Sequence, residues 1–388
     1  VNVAHIITRL ILGGAQENTL HNVEDQHDIH GDDVCLITGP AEGPEGSLIP
    51  RAREGRFRLE VLPEMKRSIR PLDDWRAYRR LIRLLREIQP DLIHTHSSKA
   101  GILGRYAARK LKIPVVHSIH GAAFHFGQPK IAYKAYVAAE KAVSGWTRKY
   151  ICVADAMRDA YVAEGISTPE KYITIQSGFD VEPFLNPPVS REQVRRQFGF
   201  SDDHIVVGKI GRLFHLKGHE FLIESATEVI NQNPNVRYLF VGDGILRDQY
   251  EASIKEAGLS DFFRFSGLVP TSEIPQLMHA MDIVAHTSQW EGLARVLPQG
   301  LISGKPVISY DVGGAREVVI PGETGFLLPQ DSIKELTIAI LDLAANPELR
   351  ERFGSAGRDR FTDLFRHEVM TERIREVYQD VLSQSQSQ

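Results

Sequence analysis

Only two cysteines occur among the 388 residues, Cys35 and Cys152. They supply neither zinc-ligand spacing nor a disulfide framework, and a reducing compartment suits them. Nowhere do 18 apolar residues run together, so no transmembrane helix is expected. Charge of one sign is also lacking: 46 basic side chains face 50 acidic ones, which excludes a globally basic nucleic-acid binder. The apolar start, Val1 to Leu12, is interrupted by His5 and Arg9 and runs into two glycines. It reads as a first strand and not as a signal peptide. There is no Walker lysine, no Gly-x-Ser-x-Gly elbow, no Asp-x-Asp pair and no short-period repeat. What remains is 42% hydrophobic and 25% charged. That balance describes a folded, cytoplasmic protein too long for one ordinary domain.

The near-neutral total conceals an uneven distribution. Residues 1–50 carry one base and eight acids, whereas residues 51–112 carry 17 bases and seven acids. Residues 186–388 return to 21 bases against 28 acids. Within the basic block, Trp75, Tyr78, Leu81, Ile82, Leu85 and Ile88 recur at helical spacing. Arg76, Arg79, Arg80, Arg83 and Arg86 fill the remaining arc. A surface helix packing its apolar stripe on a sheet accounts for this. An anionic partner, such as acidic lipid headgroups met peripherally through residues 51–112, is the sharper alternative.

Short β-branched runs alternate with helical patterns along the chain. Six candidate strands lie before residue 180 and six after residue 200, which predicts repeated βαβ units and parallel sheets. Twelve strands suit two doubly wound domains better than one. The prolines of Val181 to Val189 mark the break, giving domains over 1–185 and 186–365. A last helix follows within 366–388, with a frayed Ser-Gln tail.

Ligands of doubly wound sheets sit at the carboxyl ends of strands, where glycine turns bring helix N-termini toward them. Gly13 and Gly14 follow the first strand. Gly211 follows another, with Arg212, Lys217 and Gly218 after it; cations there suit a polyphosphate. Gly242 and Gly244 close a third strand. Glu291 and Gln299 stand eight apart, so on a helix both could face one ligand and accept from its hydroxyls. His94 and His96 share one face of a strand, without a third metal ligand in evidence.

Taken together these motifs resemble the retaining glycosyltransferases of family 4. The resemblance rests on Gly211-Arg212 with Lys217-Gly218, on Val241 to Gly244, on Phe265 to Pro270, and on Glu291 with Gln299. Gly304 to Val307, Asp311 to Val318, Gly13-Gly14, His94 to Gly101, His120-Gly121 and Ser177 to Asp180 complete it. It spans roughly residues 3 to 330. It implies the α/β GT-B fold, two Rossmann-like domains facing across a cleft. The N-terminal domain would serve the acceptor and the C-terminal domain the nucleotide-sugar donor. The C-terminal helix would return to the first domain.

By the same resemblance Arg212 and Lys217 neutralise the diphosphate, which the Gly13-Gly14 turn approaches from the other side. His120 lies beside the transferred sugar. Gly211 and Gly242 belong to the donor-binding turns, Val269 contacts the base through its backbone, and Glu291 holds the sugar hydroxyls. The amides of Leu293, Ala294 and Arg295 lie near the diphosphate. One departure stands out: the second Glu of the family's E-x7-E motif is Gln299, which implies altered ribose contacts. The expected reaction is retaining transfer to a glycan, glycolipid or small-molecule hydroxyl acceptor, with no metal and no cofactor. A catalytically silent nucleotide-sugar-binding homologue and a GT-B sugar-nucleotide epimerase remain alternatives.

Overall fold

The computed structural model describes residues 1–43, 46–125 and 127–386. The chain divides into two units, Val1–Phe179 with Leu364–Gln388, and Asp180–Asp363. The first holds a seven-stranded sheet: β1 (Asn2–Ile7), β2 (Asp33–Thr38), β3 (Arg58–Val61), β4 (Leu92–His96), β5 (Val115–Ile119), β6 (Lys149–Cys152) and β7 (Tyr172–Thr174). Their spatial order is β3-β2-β1-β4-β5-β6-β7, with every pairing parallel. The second holds β8 (Ile205–Ile210), β9 (Val236–Val241), β10 (Phe263–Gly267), β11 (Ile283–His286), β12 (Val307–Tyr310) and β13 (Gly325–Leu328). These run in the order β10-β9-β8-β11-β12-β13, again all parallel.

The strands form where the sequence is apolar on both faces, because helices cover both sides of a parallel sheet. Val3, Ala4, Ile6 and Ile7 of β1 are all fully buried, as are Val206 and Val207 of β8. In each sheet the order reverses once, between β1 and β4 and between β8 and β11. Those are the two topological switch points.

Three expectations shift. The division falls at Phe179/Asp180, six residues before the expected 185, because Glu182–Leu185 is a helical turn of the second unit. Phe184 is buried there, and its carbonyl accepts from His279 Nε2 at 2.7 Å. Residues from Leu364 onward rejoin the first unit, and the helix His367–Gln386 runs through most of the expected frayed tail. Residues 387 and 388 lie outside the described residues. A thirteenth strand, β3, escapes the sequence reading. It is an edge strand of four residues, and Arg58 and Glu60 give it no apolar run.

The last helix has a physical reason to return. Met370, Ile374, Val377, Tyr378 and Val381 are buried against Val3, Leu92, Val116 and Ile151 of the first sheet and Ile175 just after β7. Arg375 donates to both carboxylate oxygens of Asp32 at 2.7 and 3.1 Å, and Asp25 takes His367 at 2.8 Å and Thr371 at 2.8 Å. Without this helix, the part of the sheet face formed by β4, β5 and β6 loses its cover, whereas Leu20 and Val23 of the helix Gly14–Asp28 still pack over Ile7, Val34 and Leu36.

Candidate active site

In the second unit the loop after β8 and the loop after β11 are knitted together at the switch point. Gln289 donates its N–H to the Leu216 carbonyl at 2.9 Å, and the Thr287 hydroxyl donates to the Gly218 carbonyl at 2.5 Å. Gly218 is required here. Its φ is +70°, and a Cβ would lie 1.9 Å from the Thr287 carbonyl oxygen. This contact turns Lys217 toward Glu291, whose Oε1 lies 2.5 Å from Lys217 Nζ. From the other side Gly313 presses on Glu291 and Gly292 so closely that a Cβ would stand 2.4 Å from both their carbonyl oxygens.

Electrostatics follow from this packing. Burial favours the neutral acid, but the His286 imidazole, 3.6 Å away, and the Lys217 ammonium outweigh it. Glu291 is held well below the usual carboxylate range. His286 itself is pushed down by burial. A second ammonium, Lys209 on β8, is buried, and burial together with Lys217 lowers it to about 7. Sequence reasoning passed over Lys209 and His286. The signal for Lys209 was a cation inside an otherwise apolar parallel strand.

The other donor-side candidates gather around the same strand ends. Gly211 borders open space: a methyl group there would meet nothing within 4 Å. Gly242, at φ +132°, lies so close to the Gly211 carbonyl that a Cβ would approach it to 2.3 Å. Arg212 lies over the Phe214 ring at 5.5 Å. Gly242 donates to the Gly267 carbonyl at 3.1 Å, two residues before Val269, which is half-buried. Leu293, Ala294 and Arg295 form the turn that leads into the helix Val296–Ile302. Glu291 therefore lies in the loop ahead of the helix, and only Gln299 is helical. The strand–loop–helix order read from the sequence is the one found, with Gly292 accepting from Gly314 N–H at 2.6 Å and the chain turning helical only afterwards.

Gly13, Gly14 and His120 belong to the first unit. Gly13 caps the helix Gly14–Asp28 after β1, and His120 directly follows β5. His5, on β1, is the register partner of His94 on β4, which completes the group that His94 and His96 began. One ring nitrogen from each of the three lies within 4.8 Å of the others. Each ring nitrogen of these three is also engaged in a hydrogen bond, and His96 Nδ1 meets His120 Nε2 at 3.1 Å. Burial lowers His120 to about 4, so the ring is neutral.

The basic block is partly neutralised. Arg51 pairs with Glu24, Arg58 with Glu87, Arg80 with Glu64 and Lys99 with Asp74. Leu81 and Leu85 pack inward as expected, but Trp75 does not join the buried stripe. It is 55% exposed, with Arg79 over its ring at 4.9 Å. Ile69 and Leu72 beside it are 74% exposed. Asp74, Trp75, Tyr78, Leu103 and Tyr106 line a shallow groove there. Among the described residues no helix is long and apolar enough to cross a membrane.

Comparison with known proteins decides the affiliation. Residues 190–360 match the family described as glycosyl transferases group 1, and residues 12–183 match glycosyltransferase family 4. A GDP-mannose-dependent alpha-mannosyltransferase of Mycobacterium tuberculosis is 30% identical over 72% of this chain and 70% of its own. The chain belongs to glycosyltransferase family 4. A relative from Escherichia coli, UDP-Gal:alpha-D-GlcNAc-diphosphoundecaprenol alpha-1,3-galactosyltransferase, is 26% identical over 98% of this chain and 97% of its own. The fold is GT-B, as in Anabaena HepE in complex with UDP. That structure shares a TM-score of 0.83 at 23% identity, over 98% of this chain and 100% of the other. WaaG, a lipopolysaccharide-biosynthesis glycosyltransferase, aligns with a TM-score of 0.75 at 20% identity over 97% of this chain and 99% of its own.

Proposed function

We propose that the protein transfers a sugar from a nucleoside-diphosphate donor to a hydroxyl acceptor with retention at the anomeric carbon, without a metal. The observation that carries this is the Lys217–Glu291 pair at the second switch point, beside the open space in front of Gly211. A diphosphate leaving group develops negative charge as the anomeric C–O bond breaks, and fixed cations stabilise that charge most when held ready. Arg212 and Lys217 take this part, with the amides of Leu293 to Arg295 beside them. As Lys217 turns to phosphate, Glu291 remains ionised and accepts from sugar hydroxyls. Gly242 and Val269 serve the nucleoside, and Gln299 accepts from a ribose hydroxyl. His120 and the Gly13-Gly14 turn serve the transferred sugar and the diphosphate, a role that rests on the family likeness. The departing phosphate oxygen takes the acceptor's proton, so no enzymic nucleophile is needed.

HepE has been seen with UDP-glucose, and the Escherichia coli relative is named for UDP-galactose and a lipid-linked acceptor. We take a uridine diphosphate sugar and a membrane-borne acceptor as the first pair to test. Ile69, Leu72 and Trp75, exposed among arginines, are the surface by which the protein would rest on anionic lipid. The experiment is release of nucleoside diphosphate from a panel of donors, with anomeric configuration read by NMR and a chelator added in parallel. Turnover with retained configuration, unaffected by chelator, is expected. Binding without turnover for every donor would instead support the silent homologue that Gln299 suggests. Co-sedimentation with anionic vesicles, lost at high salt, tests the membrane contact; no sedimentation at low salt removes it.

A further inference from the structure

A row of buried polar side chains with no role in the proposed reaction leads to His120. It begins at Gln26 on the helix Gly14–Asp28. Gln26 Nε2 lies 2.8 Å from Asn22 Oδ1 and 3.2 Å from the Tyr378 hydroxyl, which uses both amide hydrogens. Its oxygen is thereby turned to His5 Nε2 at 3.0 Å. That nitrogen must carry hydrogen, which leaves His5 Nδ1 as an acceptor. His96 Nε2 meets it at 3.1 Å and so donates, and His96 Nδ1 in turn accepts from His120 Nε2 at 3.1 Å. A neutral imidazole has one donor and one acceptor, so each bond dictates the next.

The row ends with His120 Nδ1, which is buried and has no hydrogen-bond partner among the described residues. Gln26, His5 and His96 are fully or almost fully buried, so water does not rearrange them. His94 belongs to a side branch of the same polarity: its Nδ1 accepts from Tyr378 at 2.5 Å and its Nε2 faces Ser118 Oγ at 2.8 Å. The spacing of His5, His94 and His96 would also suit a metal, but a metal would have to break bonds that already use all six ring nitrogens.

We infer that Gln26, His5 and His96 are positioning residues that fix His120 as its Nε2–H tautomer and present Nδ1 as an acceptor. Taken with the proposed function, on which this last part rests, Nδ1 receives a hydroxyl hydrogen of the transferred sugar. It would face a carboxylate in that position lone pair to lone pair, so the row also selects for a hydroxyl-bearing sugar.

The test is the 15N spectrum of the full chain labelled at histidine, recorded without ligand. Protonated Nε2 and unprotonated Nδ1 are expected for His120. Turning the Gln26 and Asn22 amides over together would reverse the whole row, and a proton found on His120 Nδ1 overturns the inference. His96→Phe removes the acceptor and is expected to mix the tautomers, whereas His96→Asn keeps an amide oxygen near Nδ1 and restores a single one. A single tautomer retained in His96→Phe overturns the row. So does zinc, if its addition shifts His5, His94 and His96 together. Should His96→Phe fail to fold, the spectrum of the unaltered protein still decides. In the transfer assay His96→Phe should lose about five- to tenfold in kcat/KM, the equivalent of one neutral hydrogen bond, and His96→Asn should recover it. Scrambled tautomers with no loss of transfer overturn the contact with the sugar. A protein that turns over no donor loses the proposed function, while the tautomer of His120 still decides the row.

Discussion

Lys217 shows how a single side chain can be poised by its neighbours. Its ammonium is held by Glu291, and the loop that carries it is fixed by Gly218. On the proposed function, Lys217→Ala removes a charge-assisted partner of the diphosphate, a contact of about 1.5–3 kcal/mol, so binding of UDP should weaken by about ten- to a hundredfold. Calorimetry with UDP measures this, and equal affinity in variant and parent removes Lys217 from the phosphate site. Glu291 is held below its ordinary value of about 4.5. The stability it contributes is therefore present above pH 4.5 and is lost as pH falls below it. Lys217→Ala should shrink that acid-dependent share. At this scale much was legible in the sequence: Arg212, Lys217 and Glu291 stand out by charge at strand ends. Lys209 and His286 were not, because what gives them meaning is burial and a neighbour far along the chain.

Elements explain what single residues cannot. His94 and His96 are visible as an alternating pair, but His5 joins them only through the β1–β4 register. The strands themselves are readable because buried parallel strands are mostly apolar, and β3 hides because Arg58 and Glu60 take up half of its four residues. Likewise the loop that holds Glu291 and the helix that holds Gln299 are readable in order, but the packing of Gly313 and Gly314 against that loop is not. The histidine-bearing strands also make the first unit sensitive to acid. Burial lowers His5 and His120 to about 4, and lowers His94, His96 and His117 as well. Unfolded imidazoles take up protons from about pH 6.5 downward. Between pH 6.5 and 4 the unfolded chain therefore binds more protons, and stability falls as pH falls. At pH 5 His5 and His120 alone should give a slope approaching 1.4 kcal/mol per pH unit each. Urea unfolding across this range checks the slope; a flat profile from pH 6.5 to 5 contradicts neutral buried imidazoles.

On the scale of the whole molecule, each unit has its own core but only one is continuous in sequence. The second unit, Asp180–Asp363, closes on a cluster that runs from Val207 to Phe353. The residues proposed to meet the donor, Arg212, Lys217, Glu291 and Gln299, all lie within that unit. The first unit needs the returning helix, whose five buried side chains, at about 1.5–3 kcal/mol each, account for roughly 7–15 kcal/mol. That equals the entire stability of an ordinary domain, about 5–15 kcal/mol. Residues 1–179 alone should therefore fail to fold. Joined to residues 364–388 by a short flexible linker they should fold, because Phe179 already donates to the Phe365 carbonyl at 2.9 Å and the two ends are neighbours. Residues 180–363 should fold alone, unfold in one cooperative step and, on the proposed function, keep measurable affinity for UDP. Circular dichroism in urea and calorimetry on the three fragments provide the readouts. Residues 1–179 folding as stably as the linked form would show that the returning helix covers the sheet without being needed for it.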